Sequence, residues 1–463
     1  MCFAAFLMAY DPFGFILATE NVSKELWHKV NAPLYESKSL DNVLVILVGD
    51  NPESGMPWPP SYENLDDLHS RLIDYKPASI FYDFKFIGGD DELENLAINM
   101  DMSAARVGVR TIVASTSQIG DGDDNKCFAG RLNPYIVKPN IEQAFITTLD
   151  DHDGYVLEHA DPCEPNTITL SPAAMMYQAF KSKNPESNVD IDMERVMVPK
   201  WGYKVSDFNL QSSNTQKCQQ VPYTHNIWSF VWQGFMNKEE YRYGHCLPIA
   251  NISMHRFMQL TDNAINNLDA KKAIKNMIEN NVVLIGGEGV VSRDLKHTPV
   301  YGDVSGVFTH AIAVDNLITL GDDYITYAPS IYENMSWLDV IEICSLIVML
   351  ILTLFFASSK EKGRIRASRL FLGSLLSKQK AQCENKYLGI LLSFVIAIFD
   401  NSYSVFILVI EFIFFISIAL LSAYITVNYL HYEPTNFMAL ILLAFGAHEM
   451  ASRITAMIKR NAK

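Results

Sequence analysis

The chain has 463 residues, with 37 Lys and Arg against 52 Asp and Glu, and its formal net charge is −15. From residue 336 onward there are 12 basic and 8 acidic residues, which leaves 25 and 44 for residues 1–335. An acidic first part and a basic last part argue against nucleic acid as a partner, because phosphate contacts need clustered Lys and Arg.

Three apolar segments in the last third predict transmembrane helices. Trp337–Ala357 contains 21 residues, and a helix of that length covers about 31 Å, the thickness of the hydrocarbon layer. Ser404–Tyr429 is long enough to cross with tilt. Phe437–Gly446 begins a third span that needs the following turn, through His448 and Glu449, to reach across.

Basic residues predict which side of the membrane each segment faces. Eight Lys and Arg lie between positions 360 and 386 against two acidic residues, and such an excess marks the cytoplasmic side. The chain before Trp337 is then extracytoplasmic. Leu388–Phe399 is too short to span alone and is predicted to be an interfacial or re-entrant helix. The alternative is a fourth span, which would place the basic tail outside.

These assignments divide the chain into segments and predict a multi-pass protein of the bacterial inner membrane. Met1–Met8 is apolar but covers less than half a span, so we interpret it as the end of an earlier helix. The predicted segments are a transmembrane remnant at 1–10, an extracytoplasmic domain at 11–335, a span at 336–358, a basic cytoplasmic loop at 359–386, an interfacial helix and a span at 387–430, a span at 436–453 and a cytoplasmic tail at 454–463.

The sequence pattern of the extracytoplasmic part predicts an α/β sandwich, with a mixed or parallel sheet flanked by helices. The last third predicts an all-α transmembrane bundle. The apolar run Asn42–Val48 is typical of a buried parallel strand. Strands and helices then alternate, which is the pattern of β-α-β units. The next predicted elements are a helix at Tyr62–Tyr75 capped by Ser61, a strand at Ser79–Phe86, a helix at Asp90–Arg106 and a strand at Val109–Ala114.

The pattern is weaker between Ser117 and Asn280 and becomes regular again after it. The later predicted elements are helices at Ala173–Lys183, Thr261–Glu279 and Ser305–Leu320 and a strand at Val282–Ile285. The turn Gly286–Gly289 lacks the lysine of a phosphate-binding loop and is predicted to be an ordinary tight turn.

The cysteines and the sequence motifs give no indication of catalysis or metal binding. Four cysteines fall in the extracytoplasmic part, where disulfides can persist, and they allow three pairings, with free buried thiols as the alternative. They are Cys127, Cys163, Cys218 and Cys246. There is no Gly-x-Ser-x-Gly, His-Glu-x-x-His or metal-binding spacing in the sequence. We therefore expect neither an enzyme nor a metal or cofactor.

The order of several short motifs resembles the second type of CHASE domain, the cyclases/histidine kinases-associated sensory extracellular family. The motifs are the Pro57-Trp58-Pro59 turn, the strand with Asp83, the strand at 283–286, Asp294 before Thr298-Pro299, and Gly306-Val307 with His310-Ala311 and Asn316-Leu317. The resemblance implies a sensory domain that in relatives precedes a kinase or cyclase. Because only about a dozen residues follow the last span, we expect the signal to pass to a separate partner.

Two arguments select candidate ligand-binding residues. Ligands bind outside the carboxyl ends of the strands in open α/β sheets, which selects Asp50, Asp83 and Phe86. The resemblance to the family selects Trp58, Asp294, Thr298 and His310. For each residue the alternative is a structural role, as a cap, a packing residue, a satisfied buried carboxylate or a core histidine.

Within the predicted spans, Glu411 is the most unusual residue. A carboxylate inside an apolar span is costly and tends to face other helices. We predict that it pairs with His448, Glu449 or a partner helix and couples the two sides of the membrane. The alternative is an interfacial position.

The sequence therefore predicts a receptor without its own output domain, and a non-sensing membrane scaffold is the alternative. A transporter is poorly supported by three spans. The expected partners are the lipid bilayer, an extracytoplasmic ligand of unknown identity, a separate kinase, cyclase or other effector, and further copies of the chain in a homo-oligomer.

Overall fold

The computed structural model describes most of the predicted sheet domain and part of the helical region. The described residues are 15–49, 59–86, 91–115, 117–119, 127–129, 135–146, 154–160, 168–185, 191–212, 247–265, 267–288, 294–332, 335–353, 355 and 409–446. The chain divides into two compact units. We call Glu25–Tyr327 the sheet unit, and we call Met1–Lys24 with Ala328–Lys463 the helical unit.

Fourteen strands lie within the described residues. Their bounds are β1 Val43–Val48, β2 Ser79–Asp83, β3 Arg110–Ser115, β4 Ser117–Ile119, β5 Cys127–Ala129, β6 Ile141–Phe145, β7 Glu158–Ala160, β8 Ile168–Leu170, β9 Ala250–Ser253, β10 Val282–Gly287, β11 Leu295–Thr298, β12 Gly302–Ser305, β13 Ser330–Tyr332 and β14 Met335–Ser336.

The helices of the described residues follow the same chain order. They are α1 Phe15–Asn31, α2 Tyr62–Ile73, α3 Asp91–Val107, α4 Pro172–Lys183, α5 Asp207–Ser212, α6 Met254–Ala264, α7 Leu268–Ile278, α8 Val307–Leu320, α9 337–353, α10 Val409–Asn428 and α11 Phe437–Gly446, with short 3-10 turns at Ala32–Leu34 and Gly321–Asp323.

Six strands form one sheet in the order β6-β3-β2-β10-β1-β9, and every neighbouring pair is parallel. The predicted α/β sandwich is confirmed, and the sheet is parallel rather than mixed. The central strands are apolar because both faces of the sheet are covered. Helices α4 and α8 pack over one face, and α2, α3, α6 and α7 cover the other.

Side-chain caps explain where several helices begin. The Ser61 hydroxyl accepts a hydrogen bond from the Asn64 N–H, as the sequence predicts. The single helix predicted at Thr261–Glu279 is wrong, because this region forms α6 and α7. The side chain of Asn267 accepts hydrogen bonds from the backbone of Asp269 and Ala270 and starts α7. An Asn side chain that caps a new helix does not continue the previous one.

The two edge strands were not predicted from the sequence. Strands β6 and β9 are only five and four residues long, and their sequences IEQAF and ANIS include polar residues. Their pairing with β3 and β1 makes them strands. Strand β2 ends at Asp83, three residues before the predicted boundary at Phe86.

A glycine positions α8 against the carboxyl end of β10. A Cβ atom at Gly286 would lie 2.5 Å from the Cβ of Val307, the first residue of α8. Only glycine permits this close approach without a backbone shift. The start of α8 is thus held beside the edge of the sheet where ligands bind in folds of this class.

The helical unit contains α9, α10 and α11 together with the first part of α1. Among the described residues, α10 is the one helix that is long and apolar enough to cross a membrane, and α11 is a shorter apolar helix. The segments 1–10, 359–386 and Leu388–Phe399 lie outside the described residues.

Candidate functional site

Two of the predicted residues, Asp83 and His310, come together at the carboxyl edge of the sheet. Residues alternate between the faces of a strand, so Asp83 shares the face of Phe81, which α8 covers. The Phe81 and His310 rings pack edge to face at 5.4 Å. His310 Nε2 lies 3.7 Å from Asp83 Oδ1, and the two side chains are only 9% and 6% exposed.

Tyr155 contacts the ring nitrogen of His310 that faces away from Asp83. Its hydroxyl lies 2.6 Å from His310 Nδ1. The same oxygen accepts a hydrogen bond from the Ala173 N–H, at 3.3 Å. A tyrosine hydroxyl that accepts one hydrogen bond can donate its own hydrogen to a second group, here Nδ1. The hydrogen of the neutral imidazole is then on Nε2, which faces Asp83.

Burial keeps both groups neutral near pH 7. It raises the pKa of Asp83 to about 8, with a further rise from Asp294 and an opposing effect of Lys296. It also lowers the pKa of His310 to about 3, and Lys296 acts in the same direction. Desolvation penalises the charged form of each group. The contact is therefore between a carboxylic acid and an imidazole, not between two ions.

The Asp83 carboxyl group makes no hydrogen bond to the residues that the structure describes, and its side chain is 6% exposed. Its distance of 3.7 Å from His310 Nε2 is longer than a hydrogen bond. Most buried polar groups in proteins have a partner, and an exception calls for an explanation. A perturbed acid at a sheet edge is a candidate for ligand binding.

Asp294 contributes charge near Asp83 and also supports the start of α8. Its backbone carbonyl accepts a hydrogen bond of 2.9 Å from the Gly306 N–H. A Cβ atom at Gly306 would lie 2.2 Å from Asp294 Oδ2, so the carboxyl group sits directly at the helix N-terminus. The positive end of the helix dipole favours an anion there, while burial raises the pKa of Asp294.

Two other candidates have local structural contacts. The Thr298 hydroxyl donates to the Gly302 carbonyl at 2.9 Å and accepts from the Tyr301 N–H at 3.0 Å, which closes the β11–β12 hairpin. Phe86 lies in an aromatic group with Tyr62, Tyr82 and Phe84. That group belongs to the core on the opposite face of the sheet from His310.

The remaining candidates lie outside the described residues. They are Asp50 and Trp58 in the sheet unit and His448 and Glu449 after α11. Of the predicted Gly286–Gly289 turn, the first two glycines belong to β10 and Glu288 donates its N–H to the Val48 carbonyl at 2.8 Å.

A second buried carboxylate, which was not predicted, lies further along α8. Asp315 accepts hydrogen bonds from the hydroxyls of Tyr35, at 2.9 Å, Ser37 and Ser39, at 2.5 Å. Together with Thr319 we call these residues the Asp315 cluster. Burial raises the pKa of Asp315, and the hydroxyl donors oppose that rise. A single acid in the apolar sequence of α8 was the signal that sequence reasoning missed.

The helical unit has its own polar contacts around Asn436. The Asn436 side chain accepts from the Ser23 hydroxyl at 3.1 Å and donates to the Thr19 hydroxyl at 3.0 Å. Its backbone N–H donates to Glu342 Oε1 at 2.5 Å. These residues form the Asn436 cluster, which links α1, α9 and the start of α11. Glu411 is also buried in this unit, with 4% of its surface exposed.

Most of the cysteines lie outside the described residues, so the predicted disulfides are not tested. Cys163, Cys218, Cys246 and Cys383 lie in undescribed segments, while Cys344 in α9 is a free, exposed thiol. Among the described residues, no group of three or more His, Cys, Asp and Glu is arranged to hold a metal ion.

Comparison with known protein families identifies the family of this chain. The CHASE2 domain family matches residues 2–355, which is most of the chain. The chain belongs to the CHASE2 domain family. The predicted resemblance is thereby confirmed, and the match extends beyond the sheet unit into α9. CHASE2 domains are sensory domains and are typically extracytoplasmic in membrane proteins. Neither a curated protein nor a solved structure matches the chain.

Proposed function

We propose that this CHASE2 chain is a membrane-anchored receptor that binds an extracytoplasmic ligand at Asp83 and His310. The observation that carries the proposal is the Asp83 carboxyl group, which is 6% exposed, has no hydrogen-bond partner among the described residues and lies 3.7 Å from His310 Nε2. A ligand that supplies a donor or acceptor there would give Asp83 a partner that the described residues do not supply. In this proposal the sheet unit is the signal-input domain.

Membrane anchoring by three spans is part of the proposal. Helix α10 has the length and composition of a span, and α9 contains 17 consecutive helical residues, about 26 Å, within the predicted segment Trp337–Ala357. Apolar side chains of α10 such as Phe412, Ile413 and Leu421 are exposed, as expected for contact with lipid. The basic loop at 359–386 would face the cytoplasm.

Cysteine labelling tests this topology. In a chain whose seven native cysteines are replaced by serine, a single cysteine at Lys38 in the sheet unit or at Ser377 in the basic loop would be treated with a membrane-impermeant maleimide in intact cells. We expect Lys38→Cys to be labelled without cell lysis and Ser377→Cys to be labelled only after it. Labelling of both positions in intact cells contradicts the proposed orientation.

The proposed receiver of the signal is a separate kinase, cyclase or other effector that contacts the helical unit or the basic loop. Photo-crosslinkers placed between positions 360 and 386 would capture it in the membrane, with crosslinkers at exposed positions of α3 as the matched control. Capture of the same protein from both positions would contradict a specific contact with the loop.

Ligand binding is tested by thermal unfolding of the full chain in detergent. A panel of small amines, carboxylic acids, amino acids and sugars would be screened against the wild type, Asp83→Asn and the control Asp74→Asn, whose side chain is exposed. We expect one chemical class to raise the Tm of the wild type and the control by several degrees, and to leave Asp83→Asn unchanged. An equal shift in all three proteins removes Asp83 from the site, and no shift with any compound favours the scaffold alternative.

A further inference from the structure

Helix α8 connects the candidate ligand site with the segment that leads to the N-terminal helix. His310 lies in its first turns and contacts the ligand site, whereas Asp315 and Thr319 lie toward its other end. Asp315 lies five positions after His310, about 7.5 Å along the helix axis. The residues between them are buried against the sheet, so the two ends of α8 belong to one packed element.

The Asp315 cluster holds residues 35–39 against α8 through several hydrogen bonds. Besides the three hydroxyl donors to the Asp315 carboxylate, the Lys38 N–H donates to Thr319 Oγ1 at 3.1 Å. The Asn316 side chain donates to the Tyr35 hydroxyl at 3.1 Å. Asp315 and Ser39 are fully buried. Hydrogen bonds to a buried carboxylate are stronger than those between neutral groups, so residues 35–39 are firmly attached to the helix.

We propose that α8 is a relay and that Asp315 is the latch through which a displacement of His310 is passed to residues 35–39 and from there to α1. This proposal rests on the proposed function, because it takes Asp83 and His310 as the site where the signal enters. Packed elements move as bodies rather than deforming continuously. A displacement at the start of α8 therefore also moves Asp315.

The gap between Asp83 and His310 supplies a physical cause for the displacement. When Asp83 is ionised, its attraction for the His310 N–H increases, and a hydrogen bond of about 2.9 Å needs a movement of roughly 1 Å from the present separation. Among the described residues, the titratable groups that face Asp83 are His310 from α8, Tyr155 from the segment before β7, and Asp294 and Lys296 from the β11 region. Asp315 is faced by Tyr35, Ser37, Ser39 and Thr319.

A double-mutant cycle with hydrogen exchange tests the relay without an identified ligand. The full chain in detergent is labelled at pH 9, above the pKa of about 8 for Asp83, with rapid mixing. The four proteins are the wild type, Asp83→Asn, Asp315→Asn and the double variant. Keeping one pH removes the intrinsic pH dependence of exchange from the comparison.

We expect Asp83→Asn to change exchange in residues 35–39 about threefold or more when Asp315 is present, and to have no effect there in the Asp315→Asn background. The amides of α3 serve as an internal control and should not change. An equal effect of Asp83→Asn in both backgrounds, or none in the wild type, overturns the relay. If Asp315→Asn does not fold, Ser39→Ala replaces it and should reduce the effect at least twofold.

The failure of this proposal can be distinguished from the failure of the proposed function. A ligand that shifts the Tm of the wild type but not of Asp83→Asn, together with a negative exchange cycle, keeps the ligand site and removes the relay. A positive exchange cycle without any ligand shift keeps the relay and removes the ligand site.

Discussion

Two buried histidines on opposite faces of the same sheet have different surroundings. Both ring nitrogens of His69 are hydrogen-bonded, to the Tyr82 hydroxyl at 2.9 Å and to the Ser103 hydroxyl at 2.7 Å. Among the residues that the structure describes, His310 has one hydrogen bond, with the Tyr155 hydroxyl, and its second nitrogen lies 3.7 Å from Asp83 Oδ1. Burial lowers the pKa of both, to about 4 and about 3. Perturbed pKa values therefore do not separate a packing histidine from a site histidine, whereas unmet hydrogen bonding does.

The contrast begins with two adjacent residues of β2. Tyr82 and Asp83 point to opposite faces because side chains alternate along a strand. Tyr82 completes the contacts of His69, while Asp83 leaves the contacts of His310 incomplete. On the proposed function, the Asp83 side of the strand is the one that binds a ligand, and the following substitutions test the difference between the two sides.

The largest expected effect is the loss of stability in His69→Ala. We expect the free energy of unfolding to fall by about 3 kcal/mol, because the substitution opens a cavity and removes two buried hydrogen bonds, and the Tyr82 hydroxyl loses its partner while the Ser103 hydroxyl keeps the Asn99 and Met100 carbonyls. His310→Ala should lower the free energy of unfolding by about half as much, since it removes one hydrogen bond. Denaturant unfolding of the full chain in detergent measures both. Equal losses would contradict the distinction between the two histidines.

The next effect is the pH dependence that Asp83 adds to stability. Its folded pKa of about 8 lies above the ordinary value of 3.8, so the folded state holds a proton that the unfolded state has released. The protonated Asp83 carboxyl group makes its full contribution to the free energy of unfolding below about pH 4, and this contribution is lost as the pH rises toward 8. The slope approaches about 1.4 kcal/mol per pH unit at most.

Other groups limit the range in which the Asp83 effect is visible. His69 and His310 have the opposite sign, because their lowered pKa values remove stability as the pH falls below about 6.5. Unfolding of the wild type and of Asp83→Asn should therefore be compared between pH 6.5 and 8. We expect the wild type to lose stability over this range relative to the variant. Parallel curves would show that Asp83 is already ionised.

A smaller effect is expected for Tyr155→Phe. The substitution removes the hydroxyl that is hydrogen-bonded to His310 Nδ1 and accepts from the Ala173 N–H, which should lower the free energy of unfolding by about 1 kcal/mol. It also allows the hydrogen of the imidazole to move to Nδ1, and this can be followed by nitrogen chemical shifts of the His310 ring. An unchanged tautomer would mean that Tyr155 does not determine it.

The smallest effect is expected for Asp294→Asn. Loss of the charge at the N-terminus of α8 should lower the free energy of unfolding by about 0.5 kcal/mol. Since Asp294 raises the pKa of Asp83, the midpoint of the Asp83 effect should move to lower pH. Asp303→Asn, on the exposed part of the same hairpin, is the control and should leave the midpoint in place.

Much of the sheet unit could be predicted from local patterns. The strands β1 and β10 are continuous apolar runs, and Ser61 marks the start of α2. The edge strands β6 and β9 could not be found in this way, because their few residues become strands only through pairing. The break between α6 and α7 depends on the cap that Asn267 makes, and the periodic apolar residues on both sides concealed it.

The sequence by itself determined the fold class, the CHASE2 resemblance and two residues of the site, because apolar runs, caps and motif order are local properties of the chain. Only the tertiary structure decided that Asp83 and His310 meet, that Tyr155 orients the imidazole, and that Asp315 holds residues 35–39. Each of these facts joins residues far apart in the chain. Burial and hydrogen-bond saturation depend on which elements pack together, and no local pattern records them.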